Sequence, residues 1–198
     1  GYGDHRDRHS FPTRVLSVLV ELHRLSRILR RRRFAGGALE LQLPEVRIEL
    51  DREGRVEAVR ETVHDESHQL IEEFMLAANT SVARELTRRG LIYLRRVHPS
   101  PSPTKLAQFA TFVSGLGFQL DRPGSRQALQ KLIDTVSGGP LSHAVNYALL
   151  RSFKRAEYTG REDGHFALAA EDYCHFTSPI RRYPDLVIHR IVAAIATG

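Results

Sequence analysis

The sequence predicts an α+β fold, mostly α-helical, with a small antiparallel sheet near residues 39–60. Three observations predict it. Apolar residues recur at three- and four-residue spacing over long stretches on both sides of that block, as helices require. Inside it the period drops to two: Leu39, Leu41 and Leu43, then Val46, Ile48 and Leu50, alternate with polar residues. The turn Asp51-Arg52-Glu53-Gly54 then leads to Val56 and Val59, which closes a hairpin.

The elements follow in order. Residues 1–14 carry charge and glycine without an apolar period and read as a loop or linker. Thr13 is placed to cap a helix starting near Arg14, with Leu16, Leu19, Val20, Leu22, Leu25, Ile28 and Leu29 on its apolar side. Gly36-Gly37 stop it. After the hairpin a long helix runs from about Asp65 through Leu70, Phe74, Ala78 and Val82 to Gly90. Ile92–Val97 reads as a short strand, and His98–Thr104 as a proline-set connector with Ser102 or Thr104 capping the next helix. Helices are expected near 104–115 and 125–137, a further one from Gly138-Gly139-Pro140 to about 155, and an extended stretch at His165–Ala170. A final helix starts at Pro179 with Ser178 as its cap. The alternation of hairpin and helices is too close for two domains. Leu186, Ile188, Ile191, Val192 and Ile195 keep the helical period to the end, so the chain reads as cut from a longer one.

Composition narrows the function. The 198 residues hold 29 Lys and Arg against 23 Asp and Glu, a net charge of +6 that favours a polyanion partner. Nearly all cations are arginines, whose planar fork suits phosphate and carboxylate; a GC-rich genome produces the same bias. One cysteine, Cys174, excludes an internal disulfide framework. No apolar run approaches a membrane span, so the reading is a soluble, cytoplasmic protein without a membrane partner. The nine aspartates are scattered singly, with no D-x-D or D-D pair, which leaves no complete carboxylate cluster for Mg²⁺. No phosphate-binding glycine loop or nucleophile elbow is present.

Three segments carry chemistry. His64 and His68, four apart with Glu72 one turn on, have metal-ligand spacing, but Asp65 stands where the zincin pattern wants a glutamate, and the segment reads instead as a solvated, acid-rich first helical turn. Arg30, Arg31, Arg32 and Arg33 are candidate phosphate contacts or a solvated helix end whose cations complement the carbonyl dipole. The strongest signal is Tyr173–Asp185, where Arg181 and Arg182 sit at a helix start. Cations there oppose the dipole, which points to an anionic ligand.

At these residues the sequence resembles a family. YCHFTSPIRRYPDLVIHR, Tyr173–Arg190, is similar to the signature near the end of the RNB catalytic domain of the ribonuclease II and ribonuclease R exoribonucleases. His68–Leu86, His143–Thr159 and Gly164–Tyr173 resemble other segments of that domain, in the same order. The resemblance implies a partial RNB domain, its C-terminal half, from a processive 3′-to-5′ exoribonuclease that hydrolyses single-stranded RNA with Mg²⁺. It also implies that the metal-binding aspartates lie upstream of these residues. Alone, then, the chain is expected to bind no metal and to be inactive. Arg181 matches the family's catalytic arginine. Glu72 rather than Glu73 matches a glutamate at the terminal ribose, and His175, Thr177, Ser178 and Arg182 line up near the RNA 3′ end. Asn79 reads as a structural polar contact. Leu41 stands where the family often has a base-stacking aromatic. The alternative is a non-catalytic RNA-binding module, a degenerate homologue or a stable truncation; a helix-turn-helix reading finds no convincing pair. Apolar surface made for a missing half-domain would favour self-association.

Overall fold

The computed structural model describes residues 10–43, 46–61 and 65–197, with side chains from residue 15 onward. Helix α1 spans Ser10–Ala35, β1 Val46–Leu50, β2 Val56–Glu61, α2 Glu66–Arg88, β3 Arg95–Val97, α3 Pro103–Gly115, α4 Arg126–Val136, α5 Ser142–Ser152, β4 Glu157–Thr159 and α6 Tyr183–Thr197. The α+β class, dominated by helix, is as expected.

Two cores organise these elements. In the first, Phe109 and Val113 of α3 meet Leu129, Leu132, Ile133 and Val136 of α4 and Val145 and Leu149 of α5, with Leu39 inserted between them. The second joins Ala83 and Leu86 of α2 to Tyr93, Cys174 and Ile188 of α6. Helix starts are set by side-chain caps. The Asp65 carboxylate accepts the Ser67 and His68 amides, Ser102 accepts from Lys105, and Ser125 from Ala128. Helix α2 stops two residues before Gly90, where a φ of +68° goes with bonds from the Gly90 amide to Thr87 O and the Leu91 amide to Leu86 O.

Several expectations need correction. The sheet does not begin at Leu39: β1 and β2 pair antiparallel, from Val46↔Glu61 to Leu50↔Val56, and 38–43 is no strand. In that segment the Leu39 amide donates to Ala167 O, the Glu40 amide to Gln130 Oε1 and the Gln42 amide to Asn146 Oδ1. Side-chain amides of α4 and α5 take the donors that a ladder would have used. A second small sheet pairs β3 with β4, Arg95↔Thr159 to Val97↔Glu157. Helix α1 begins at Ser10, so 10–14 are helical rather than loop, while 1–9 lie outside the described residues. His165–Ala170 is not extended. It folds into a 3₁₀ turn, Phe166–Leu168, capped by Ala169 in the left-handed region at φ 53°. A Cβ at Gly164 would lie 2.8 Å from Ala170 O, so this turn closes only over a glycine. Helix α5 is shorter than expected at both ends.

The apolar sides of α1 and of the hairpin stand open. Leu16, Leu19 and Val20 on α1, and Val46, Ile48, Leu50, Val56 and Val59 on the hairpin, are all exposed.

Candidate functional site

Helix α2 carries the site residues on successive turns. Adjacent glutamates there have opposite fates. Glu73 is 2% exposed, and Arg33 Nη2 donates to its Oε1 at 2.5 Å while Arg30 Nη1 lies 3.7 Å away. Arg30 Nη2 also donates to both Glu40 oxygens at 2.7 Å. Arg30 and Arg33 therefore fasten α1 to α2 and to the 38–43 segment. Arg31 and Arg32 project into solvent. The four-arginine run thus divides by helical phase, two residues facing the fold and two facing outward.

Glu72, one residue away, is exposed and borders a cavity of about 870 Å³. Leu41, Gln69, Gly138, Gly139, Ser142 and His143 line it as well. The structure thus brings together Glu72 and Leu41, the two residues that the family resemblance placed around one terminal nucleotide. Asp65 accepts His68 Nδ1 at 2.8 Å, and His64 lies outside the described residues. Among the described residues no three His, Cys, Asp or Glu side chains converge as a metal site.

Further along α2, Asn79 straps down the signature segment. Its Nδ2 donates to Tyr173 Oη at 3.1 Å, and its Oδ1 accepts the Phe176 amide at 2.9 Å. The Cys174 thiol donates to Asn79 O at 3.5 Å; burial pushes its pKa up to about 12, so it stays a neutral packing group. His189 lies parallel to Phe176 at 4.0 Å and bonds its carbonyl. Asn79 is the structural contact expected of it.

Residues 178–182 form a turn, and α6 starts only at Tyr183. Ser178 is therefore not the cap of a helix at Pro179, as the sequence suggested. Its carbonyl accepts the Arg181 and Arg182 amides. The reason is Asp185, which the sequence reading had not singled out. It is fully buried in the first turn of α6, and its Oδ1 accepts both the Ser178 amide and Arg182 Nη2 at 2.8 Å. The proline-aspartate pair in a helical first turn was the available signal, because an acid there suits the dipole and reaches back to upstream amides. Arg182 is thereby committed to the fold. Arg181 is exposed and, among the described residues, has no ion pair or side-chain hydrogen bond. Thr177 Oγ1, Arg182 Nε and Asp185 Oδ2 are buried without a partner among the described residues.

His175 completes the site. Its Nδ1 is 2.6 Å from Tyr158 Oη, and the Arg96 guanidinium lies 4.7 Å from the centre of the Tyr158 ring. Rings continue inward from His175 to Tyr173, His165 and His98. Burial, then the nearby Arg182, pushes His175 down to about 4. Burial, then His98, pushes His165 down to about 3. Both rings are neutral at pH 7. In the unfolded chain they take up protons below about pH 6.5, so stability should fall as the pH drops from there towards 4. His165 alone should contribute about 2 kcal/mol of that loss at pH 5, and the more exposed His175 less. Thermal melts at pH 7 and pH 5 check this. The drop should shrink in His165→Asn, and equal melting temperatures in the parent chain would contradict the assignment.

With this geometry the comparisons agree. The sequence model of the RNB domain matches residues 4–198. The chain is 37% identical over 198 residues to ribonuclease R of Aquifex aeolicus, covering 99% of this chain and 28% of that protein. It is 40% identical over 178 residues to ribonuclease R of Thermotoga maritima, covering 87% and 24%. The fold superposes on Mycoplasma genitalium RNase R in complex with ribose-methylated single-stranded RNA with a TM-score of 0.84 at 32% identity, over 90% of this chain and 28% of that one. Yeast Ssd1, a pseudonuclease, matches with a TM-score of 0.67 at 25% identity, over 89% and 23%. The chain thus spans about a quarter of the length of these relatives. Four ordered motifs, the strapped signature turn and the match over nearly every residue converge on one conclusion: the chain belongs to the RNB domain family of ribonuclease II and ribonuclease R.

Proposed function

We propose that this chain is the C-terminal half of the RNB domain of a cytoplasmic, Mg²⁺-dependent 3′-to-5′ exoribonuclease, and that it supplies RNA-channel residues and the catalytic arginine. The observation that carries the reading is the split between neighbouring arginines. Asp185 holds Arg182 and the turn, leaving Arg181 a free guanidinium on a fixed backbone. Such a group stabilises charge that develops on a scissile phosphate, without reorganising during the reaction. Glu72 accepts a hydroxyl of the terminal ribose, which distinguishes RNA from DNA. The neutral His175, Thr177 and Ser178 border the path of the 3′ end, and the exposed Arg31 and Arg32 contact phosphates further out. Arg30, Arg33 and Arg182 support RNA binding from within, through the side chains that they hold. The described residues do not fit a Mg²⁺ ion. Its ligands would lie upstream of these residues.

That RNase R of Mycoplasma genitalium has been solved with single-stranded and with double-stranded RNA supports an RNA partner. The open apolar sides of α1 and the hairpin support self-association of the isolated chain. A second reading, a non-catalytic RNA-binding module, is favoured by the likeness to a pseudonuclease.

Two preparations test this. The full-length protein should release nucleoside monophosphates from the 3′ end of single-stranded RNA with Mg²⁺, and the 198-residue chain should bind that RNA and leave it intact. A full-length protein that binds without cleaving would establish the second reading. Nucleotide release by the chain alone would show that it holds its own metal.

A further inference from the structure

We propose that His143 and Tyr147 on α5 form a base-stacking platform beside the Glu72 cavity, supplying the aromatic contact that Leu41 does not. This rests on the RNA-binding reading above. Leu41 offers the cavity an aliphatic side chain and no π-face. Among the described residues that line the cavity, His143 contributes the one aromatic ring. Tyr147, one turn along, lies nearly parallel to it, with ring centres 6.1 Å apart and planes inclined by 15°. A base laid against either ring is therefore close to parallel with the other.

The placement is rigid. Asn146, on the same side of α5, is fully buried; its Oδ1 accepts the Gln42 amide at 2.9 Å and its Nδ2 donates to Ser142 O at 2.8 Å. It fixes the segment carrying Leu41 against the turn of α5 that carries His143 and Tyr147. Val145 and Leu149 bury the other side of the helix completely. The two rings themselves belong to neither core. His143 is exposed, and Tyr147 keeps 50% of its surface in water. An exposed aromatic pair on a rigid helix, of which His143 borders a cavity with a carboxylate for the ribose, fits a nucleobase better than it fits any packing role. Every base has a π-face, so the platform would be sequence-tolerant.

The test uses the full-length protein with EDTA, so that the RNA stays intact, and single-stranded RNAs carrying 2-aminopurine at successive positions from the 3′ end. In the parent protein the probe should be quenched at one or two adjacent positions. His143→Ala and Tyr147→Ala should each relieve that quenching and weaken binding about 5- to 150-fold. Tyr147→Phe, which keeps the ring, should bind as the parent does. Neither ring is packed in a core, so the alanine variants should melt as the parent does. If the parent binds RNA and both alanine variants bind equally well with unchanged quenching, the platform is wrong and the RNA-binding reading stands. If the parent itself does not bind, both fail.

Discussion

Replacing Arg181 with alanine should slow single-turnover cleavage of short single-stranded RNA by the full-length enzyme about 10²–10³-fold, near 3–4 kcal/mol, while leaving RNA affinity nearly unchanged. The guanidinium is exposed and, among the described residues, has no ion pair, so its removal breaks none of the internal ion pairs described. In the proposed role, what would be lost is a donor that acts more strongly on the transition state than on the bound substrate. Arg181→Lys should not rescue the rate, because a point charge does not reproduce the planar fork. The measurement pairs single-turnover kinetics at saturating enzyme with equilibrium binding of the same RNA. A variant that cleaves within about threefold of the parent, or that loses only affinity, would make Arg181 a phosphate anchor and nothing more.

The second large effect is structural. Asp185→Ala should lower the unfolding free energy by about 3–5 kcal/mol, because it removes one partner of a buried pair and leaves the other uncompensated. Both groups that Oδ1 accepts, the Ser178 amide and the Arg182 guanidinium, lose their acceptor at once. Asp185→Asn should cost less, since an amide oxygen still accepts the Ser178 amide while the charge facing Arg182 is gone. Urea denaturation of the two variants should rank them in that order. At temperatures where Asp185→Asn remains folded, its cleavage rate should fall because the turn presenting Arg181 is held less firmly once the charge facing Arg182 is gone. A stable Asp185→Ala protein with full activity would show that the turn holds its shape without this carboxylate.

The two predictions separate neighbouring residues of one motif by what each side chain touches. Arg181 and Arg182 are adjacent and chemically identical in the sequence. Only the carboxylate reaching back from α6 makes one a structural partner and leaves the other available to a phosphate. Glu72 and Glu73 repeat the pattern on α2. Glu73 turns to the arginines of α1, and Glu72, the one that the resemblance singled out, turns to open space.

Much of this was legible locally. The three- and four-residue apolar spacing of α2, α3 and α4 specifies helices because a side chain's facing follows directly from its position along the chain. Asp65, Ser102 and Ser125 mark helix starts through contacts spanning only two or three residues. The signature at Tyr173–Arg190 identifies the family by itself. The alternation at Leu39–Leu43 has the period of a strand, but whether a strand forms depends on a partner ladder. Here the backbone donors go to Gln130, Asn146 and Ala167, all of them 90 or more residues away in sequence. The start of α6 was misplaced for the same reason, since a proline and a capping serine are local signals and the Asp185 clasp is a contact across seven residues. The sequence by itself determined that these segments are helical, the start of α3 at Ser102 and the family. The tertiary structure alone decided which arginine and which glutamate stay free, because burial and pairing depend on what long-range packing brings beside a side chain, and no local period encodes that.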